Sequence, residues 1–107
     1  MINVDLDKAR TSKDARVFAG RDRGGHWRNE FKLDEIDSGT DEVEVEIPGD
    51  IISVNISFFL GMFGKSVRTL GTEEFRQRYQ FHCNEDLRPL IDLGVEQAVK
   101  TSSALQE

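Results

Sequence analysis

A chain of 107 residues is long enough for one domain with a single modest core. Its 37% hydrophobic and 32% charged residues read as an ordinary globular composition, and no run nears the roughly 20 apolar residues of a membrane span. A formal charge of -6 argues against non-specific nucleic-acid binding, which depends on Lys and Arg neutralising phosphates.

In chain order, the opening MINVDLDKAR has no signal-peptide apolar region, and Ile2, Val4 and Leu6 alternate as a first strand. Residues 7–16 break the pattern. Val17-Phe18-Ala19 forms a brief second strand. Glycines 20, 24 and 25 then suit a turn, and Trp27, Phe31 and Leu33 have helical spacing, so a short helix is expected over about 25–35. An acidic loop at Asp37–Asp41 follows. Val43–Ile47 is the clearest strand, with Val43, Val45 and Ile47 on one face and Glu44 and Glu46 on the other, which implies a sheet covered by helices on one face and wet on the other.

The strand breaks at Pro48-Gly49, and Asn55 and Ser57 lead into a very hydrophobic helix over about 57–70, with Ser57 as its N-cap. Phe58, Phe59, Met62, Phe63, Val67 and Leu70 wrap too far around for a surface helix, so much of it is expected to be buried. Gly61 and Gly64 within it suggest a backbone packed closely on the sheet or on a partner. Thr72 reads as the N-cap of a helical turn, Tyr79–Cys83 as the last strand, and 85–102 as a helix whose stripe is Leu87, Leu90, Ile91, Val95, Ala98 and Val99. Pro89 is tolerated there because it falls in the first turn. One domain over residues 1–103 is expected, with a frayed tail at 104–107.

Charge is blocked along the chain. Six basic residues at 10–28 (Arg10, Lys13, Arg16, Arg21, Arg23, Arg28) against Asp14 and Asp22 give a net +4, and nine acidic residues at 30–50 against Lys32 give a net -8. The two blocks either neutralise each other in the fold or leave one end positive.

The chemistry-bearing residues are few. Gly64-Lys65-Ser66 copies the end of a phosphate-binding loop, but the motif's earlier glycine would fall at position 59, which is Phe, and the segment lies inside a helix. His82 and Cys83 are adjacent on a strand and point to opposite faces, so they cannot share a metal, and no carboxylate stands at a supporting sequence spacing. No metal, cofactor or enzymatic activity is expected. The lone Cys83 cannot form an internal disulfide, which fits a reducing, cytoplasmic compartment. Arg21, Arg23, Gly24, Gly25 and Arg28 offer an anion site made of backbone N–H groups and guanidinium forks, or else a structural turn whose arginines pair with the acidic block. Ser57, at a helix N-terminus, is either a plain cap or a phosphoacceptor.

The segment PGDIISVNISFFLGMFGKSVRTLGTEEFRQRYQF resembles the core of the STAS-like domain family of unknown function. The resemblance rests on strand Val43–Ile47, Gly49, the Asn55/Ser57-Phe58 helix opening, and Gly71 with Phe75 and Arg76. Upstream, GRDRGGHWRNEF is similar to the family's Gly-Arg turn and helix start, and coverage is roughly residues 15–100. The resemblance implies an α/β fold, a small STAS-like sandwich with a mixed sheet of three to five strands and helices mainly on one face. It implies a non-enzymatic regulatory domain of bacterial signalling, like an anti-sigma-factor antagonist. Such a domain docks on a protein partner, a kinase with a histidine-kinase-like ATPase fold, and is switched by serine phosphorylation. Ser57 takes the phosphoacceptor position, with Ser53 as second choice, and Asn55, Ser57 and Phe58 take the partner-binding positions. The wider group carries Asp-Ser-Ser-Gly or similar where this chain has Asn55-Ile56-Ser57-Phe58. The alternative function is a sensor of a small molecule or an anion such as a nucleotide. Monomer and homodimer are both compatible with the sequence.

Overall fold

Alternation of apolar and polar residues builds the main sheet. The computed structural model describes residues 2–105, and the side chains through residue 100. Strands β1 (Ile2–Asp5), β3 (Val43–Glu46) and β5 (Tyr79–His82) pair in the order β1-β3-β5, with β3 central. The register aligns Ile2, Val43 and Tyr79, then Val4, Val45 and Phe81, on the inward face. The outward face carries Asn3, Glu44 and Gln80 beside Asp5, Glu46 and His82. Glu44 and Glu46 do face away from the core, as the alternation requires.

A second sheet holds two short strands, β2 (Val17–Phe18) and β4 (Ser53–Val54), with Val17 opposite Ser53. Every strand pairing among the described residues is parallel, so the expected mixed sheet is corrected to a three-stranded and a two-stranded parallel sheet. β4 has no counterpart among the sequence expectations. Two residues are too short to show a period.

The expected helix at 25–35 is two helices, α1 (Arg21–Glu30) and α2 (Leu33–Asp37). Lys32 stands between them at φ 58, a left-handed conformation that ends one helix before the next begins. The hydrophobic helix starts one residue early, as α3 (Ile56–Phe59), passes through a π-turn at Leu60–Gly64, and continues as α4 (Lys65–Leu70). Gly71, at φ 86, ends α4 and opens α5 (Thr72–Arg78), so Gly71 and not Thr72 is the cap. A 3-10 turn at Glu85–Leu87 leads into α6 (Arg88–Leu105), which places Pro89 in its first turn. Of the expected frayed tail, residues 104–105 belong to α6, and 106–107 lie outside the described residues.

The core is aromatic. Phe58, Phe59, Phe63 and Phe75 are all under 2% exposed, and Phe63 packs against Phe59, Phe75, Tyr79 and Phe81 with ring centroids 5.2–6.3 Å apart. From α6 the buried hydrophobic side chains are Ile91, Val95 and Ala98, joined by Leu87 ahead of the helix, while Val99 is 44% exposed and leaves the expected stripe. Gly61 does pack closely, but on α1. A methyl group on Gly61 would sit 2.2 Å from the Arg21 carbonyl oxygen, and one on Gly24 would sit 2.3 Å from that of Phe58. The helices therefore cross glycine to glycine. No helix among the described residues is long and apolar enough to cross a membrane.

Candidate functional site at the heads of two helices

The paired strands each lead into a helix, β2 through Ala19 and Gly20 into α1 and β4 through Asn55 into α3. Parallel pairing continues one residue further, where the Asn55 N–H donates to the Phe18 carbonyl at 2.7 Å. The first turns of α1 and α3 therefore open at the same end of the two-stranded sheet. Asn55 is extended (φ -65, ψ 142), and its Oδ1 accepts from the Ser57 N–H at 2.8 Å. Asn55 is thus the N-cap, and Ser57 stands inside the first turn with an exposed side chain. The cap expected at Ser57 is corrected by two residues, because the amide of Asn55 reaches the orphan N–H first. Ser53 is half-buried on β4.

Phe58 is fully buried and stacks on Phe18 at 5.1 Å, so it anchors α3 to β2 and is not available to a partner. Near this head two hydrophobic side chains reach solvent. Ile52 is 68% exposed and Val17 is 46% exposed, two of the four large exposed hydrophobic residues among those described. The Ile52 N–H donates to the Arg16 carbonyl at 2.8 Å, which holds the residue before β4 to the residue before β2.

The five residues expected to form an anion site do not converge. Arg21 is exposed in the first turn of α1, and Arg23 donates to the Ala9 carbonyl at 2.8 Å. Gly24 and Gly25 lie inside α1 rather than opening it, and Gly24 faces the crossing with α3. Arg28 points into the protein. It is 6% exposed and saturated with acceptors: the Asp34 carboxylate at 2.7 and 3.1 Å, the Met62 carbonyl at 2.7 Å, Ser66 Oγ at 2.8 Å and the Asp37 carboxylate at 3.0 Å. A guanidinium so occupied cannot take an outside anion, which removes Arg28 and Gly24 from the expected set.

Asp37 is the centre of this buried network. Besides Arg28, it accepts from Ser66 Oγ at 2.5 Å and from the Tyr79 hydroxyl at 2.6 Å. Arg78, also buried, donates to the carbonyls of Ile36 at 2.9 Å and Asp41 at 3.1 Å, placing a cation over the C-terminal end of α2. Hydrogen bonding from Arg28 holds the Asp34 carboxyl below its ordinary range, and burial followed by the bond to Asp37 pushes the Tyr79 phenol upward. The network bolts α1, α2, the π-turn, α4 and β5 together. Ser66, the last residue of the false phosphate-binding motif, is fully buried within it.

Basic and acidic blocks meet in two places, at Arg28 with Asp34 and Asp37 and at Arg10 with Asp50. The latter pair keeps the Asp50 carboxyl low. One sequence signal could have found the buried arginine. Gly24 and Arg28 are four apart on one helix face, so a face pressed against another backbone must carry Arg28 inward with it. No family model, curated protein or solved structure matches the chain.

Proposed function

We propose that this chain is a non-enzymatic, STAS-like regulatory domain that docks on a protein partner through β2, β4 and the head of α3, with Ser57 as its phosphoacceptor. The observation that carries the reading is the exposure of Ser57 in the first turn of α3, just beyond the short β2–β4 sheet, at whose ends Val17 and Ile52 are also exposed. Exposed apolar side chains beside a polar helix head are a surface a partner can cover. A phosphate on Ser57 would bring nearly two negative charges, which a helix N-terminus accommodates within the domain. The same charge placed at the rim of an apolar contact opposes docking. The fold is kept and the partner is released. The resemblance to the STAS-like family supplies the partner class, a kinase with a histidine-kinase-like ATPase fold.

The test is to incubate the protein with ATP and such a kinase encoded beside it, and to measure intact mass. One phosphate is expected on the wild type and none on Ser57→Ala. Equal labelling of both, or of neither, rejects Ser57 as the switch. Anion sensing is the second reading, favoured by the two helix heads opening side by side with Arg21 exposed. It requires nucleotides or oxyanions to raise the melting temperature, and Arg21→Ala to abolish the rise.

A further inference from the structure

The open face of the main sheet holds the second cluster of chemistry. Parallel sheets are ordinarily covered on both faces. Here the outward side of β1, β3 and β5 is polar throughout, and Asn3, Gln80 and His82 on it are exposed. Glu44 and Glu46 are two residues apart on β3 and share this face, while His82 stands opposite Glu46 on β5. One donor atom from each of the three lies within 4.8 Å of the other two. His82 Nε2 is 3.3 Å from Glu44 Oε1. Ligand atoms around a tetrahedral ion bound at about 2.0–2.1 Å are themselves about 3.3 Å apart, so that pair already has the spacing of two ligands. Sequence spacing alone provides no carboxylate near His82. The β3–β5 register provides two.

Charge on this face points the same way, independently of the donor geometry. Asp5 lies directly opposite Glu46 across β1 and β3, a like-charge cross-strand pair, which destabilises a sheet. Among the described residues, no Lys or Arg forms an ion pair with Asp5, Glu44 or Glu46. Among the described residues, the one side chain with a nitrogen in ion-pair reach of these carboxylates is the His82 imidazole, from the cluster itself. Three carboxylates without a fixed counter-charge are relieved by a bound dication.

We propose that Glu44, Glu46 and His82 bind a divalent transition-metal ion of the zinc class on the outer face of the sheet. The imidazole nitrogen selects zinc-like ions over magnesium or calcium, which prefer all-oxygen sets. Three protein ligands on an open face leave the remaining position to water. Asp5 stands outside the set, because the donor atoms within 4.8 Å of one another are those of Glu44, Glu46 and His82, while its Oδ1 accepts from the Asp7 N–H at 3.0 Å.

Zinc chloride titrated into the full chain, followed by calorimetry, tests the site. One saturable equivalent is expected. His82→Ala and Glu44→Gln should each weaken it at least tenfold, while His26→Ala, on α1, leaves it unchanged. In nuclear magnetic resonance spectra, zinc should shift the His82 imidazole and not that of His26. His82 is 49% exposed, so its truncation should leave the fold intact, checked by circular dichroism; Glu44→Gln provides a second variant. Absence of saturable zinc binding, or equal affinity in wild type, His82→Ala and Glu44→Gln, overturns the proposal.

Discussion

Replacing Arg28 by methionine should cost this domain much of its stability. Methionine keeps most of the aliphatic stem, so the loss isolates the guanidinium, which donates to Asp34, Asp37, Ser66 and the Met62 carbonyl. Asp37, 8% exposed, would keep only the hydroxyls of Ser66 and Tyr79 as donors, and the Met62 carbonyl would lose its bond from Arg28. Removing one partner of a buried ion pair costs about 3–5 kcal/mol, because the remaining charge stays buried without compensation. Against a total of about 5–15 kcal/mol for a domain of this kind, that is a fifth of the stability or more. At about 4–8 °C per kcal/mol the melting temperature should fall by at least roughly 12 °C.

Urea unfolding followed by far-ultraviolet circular dichroism and by the fluorescence of Trp27, the single tryptophan, gives the free energy. Adding Asp37→Asn to the methionine variant should cost less than the sum of the two single losses, since the stranded charge is gone. The exposed Arg76–Asp92 pair is the control, and Arg76→Ala should stay within about 1 kcal/mol. A loss below about 1 kcal/mol for Arg28→Met, or strict additivity with Asp37→Asn, would refute the reading of this network as a structural bolt.

Two neighbouring glycines should respond in opposite directions. Gly24→Ala puts a methyl group 2.3 Å from one backbone atom of α3 and 2.9 Å from the Met62 nitrogen, forcing the helices apart at a cost of about 1–3 kcal/mol or more. Gly25→Ala meets nothing nearer than 4.0 Å and should stabilise by about 0.4–1 kcal/mol; equal melting temperatures for the two variants would contradict the crossing. Tyr79, the single tyrosine, has its phenol raised above the ordinary value of about 10. Its contribution to stability is therefore fully present below about pH 10 and lost as pH rises toward the folded value. Phenolate absorbance should appear only together with loss of the circular-dichroism signal, and ionisation near pH 10 in the folded protein would be evidence against the buried bond to Asp37.

The local elements were legible wherever a period was long enough to read. Val43–Glu46 alternates, and its glutamates do face outward; the wide apolar surface of 56–70 does mean burial. Asn55 and Ser57 were both visible as polar residues at a helix start. Which of them caps depended on one amide reaching an N–H two residues on, a matter of backbone angles rather than composition. The pairing of β2 with β4 was beyond reach, since two-residue strands have no period and acquire their order from each other.

Arg28 shows the limit most clearly. It closes the stretch GRDRGGHWR, whose glycines and other arginines are the surroundings of an exposed basic turn. Its acceptors come from positions 34, 37, 62 and 66, and the turn at Lys32 together with the crossing of α1 over the π-turn brings them around it. Likewise the meeting of Glu44, Glu46 and His82 is a property of strand register, which sets residues far apart in sequence a few ångströms from one another. Sequence by itself determined the periods, and with them the elements and the faces they bury. Tertiary structure alone decided which charges are inside and which meet, because burial and pairing are relations between segments.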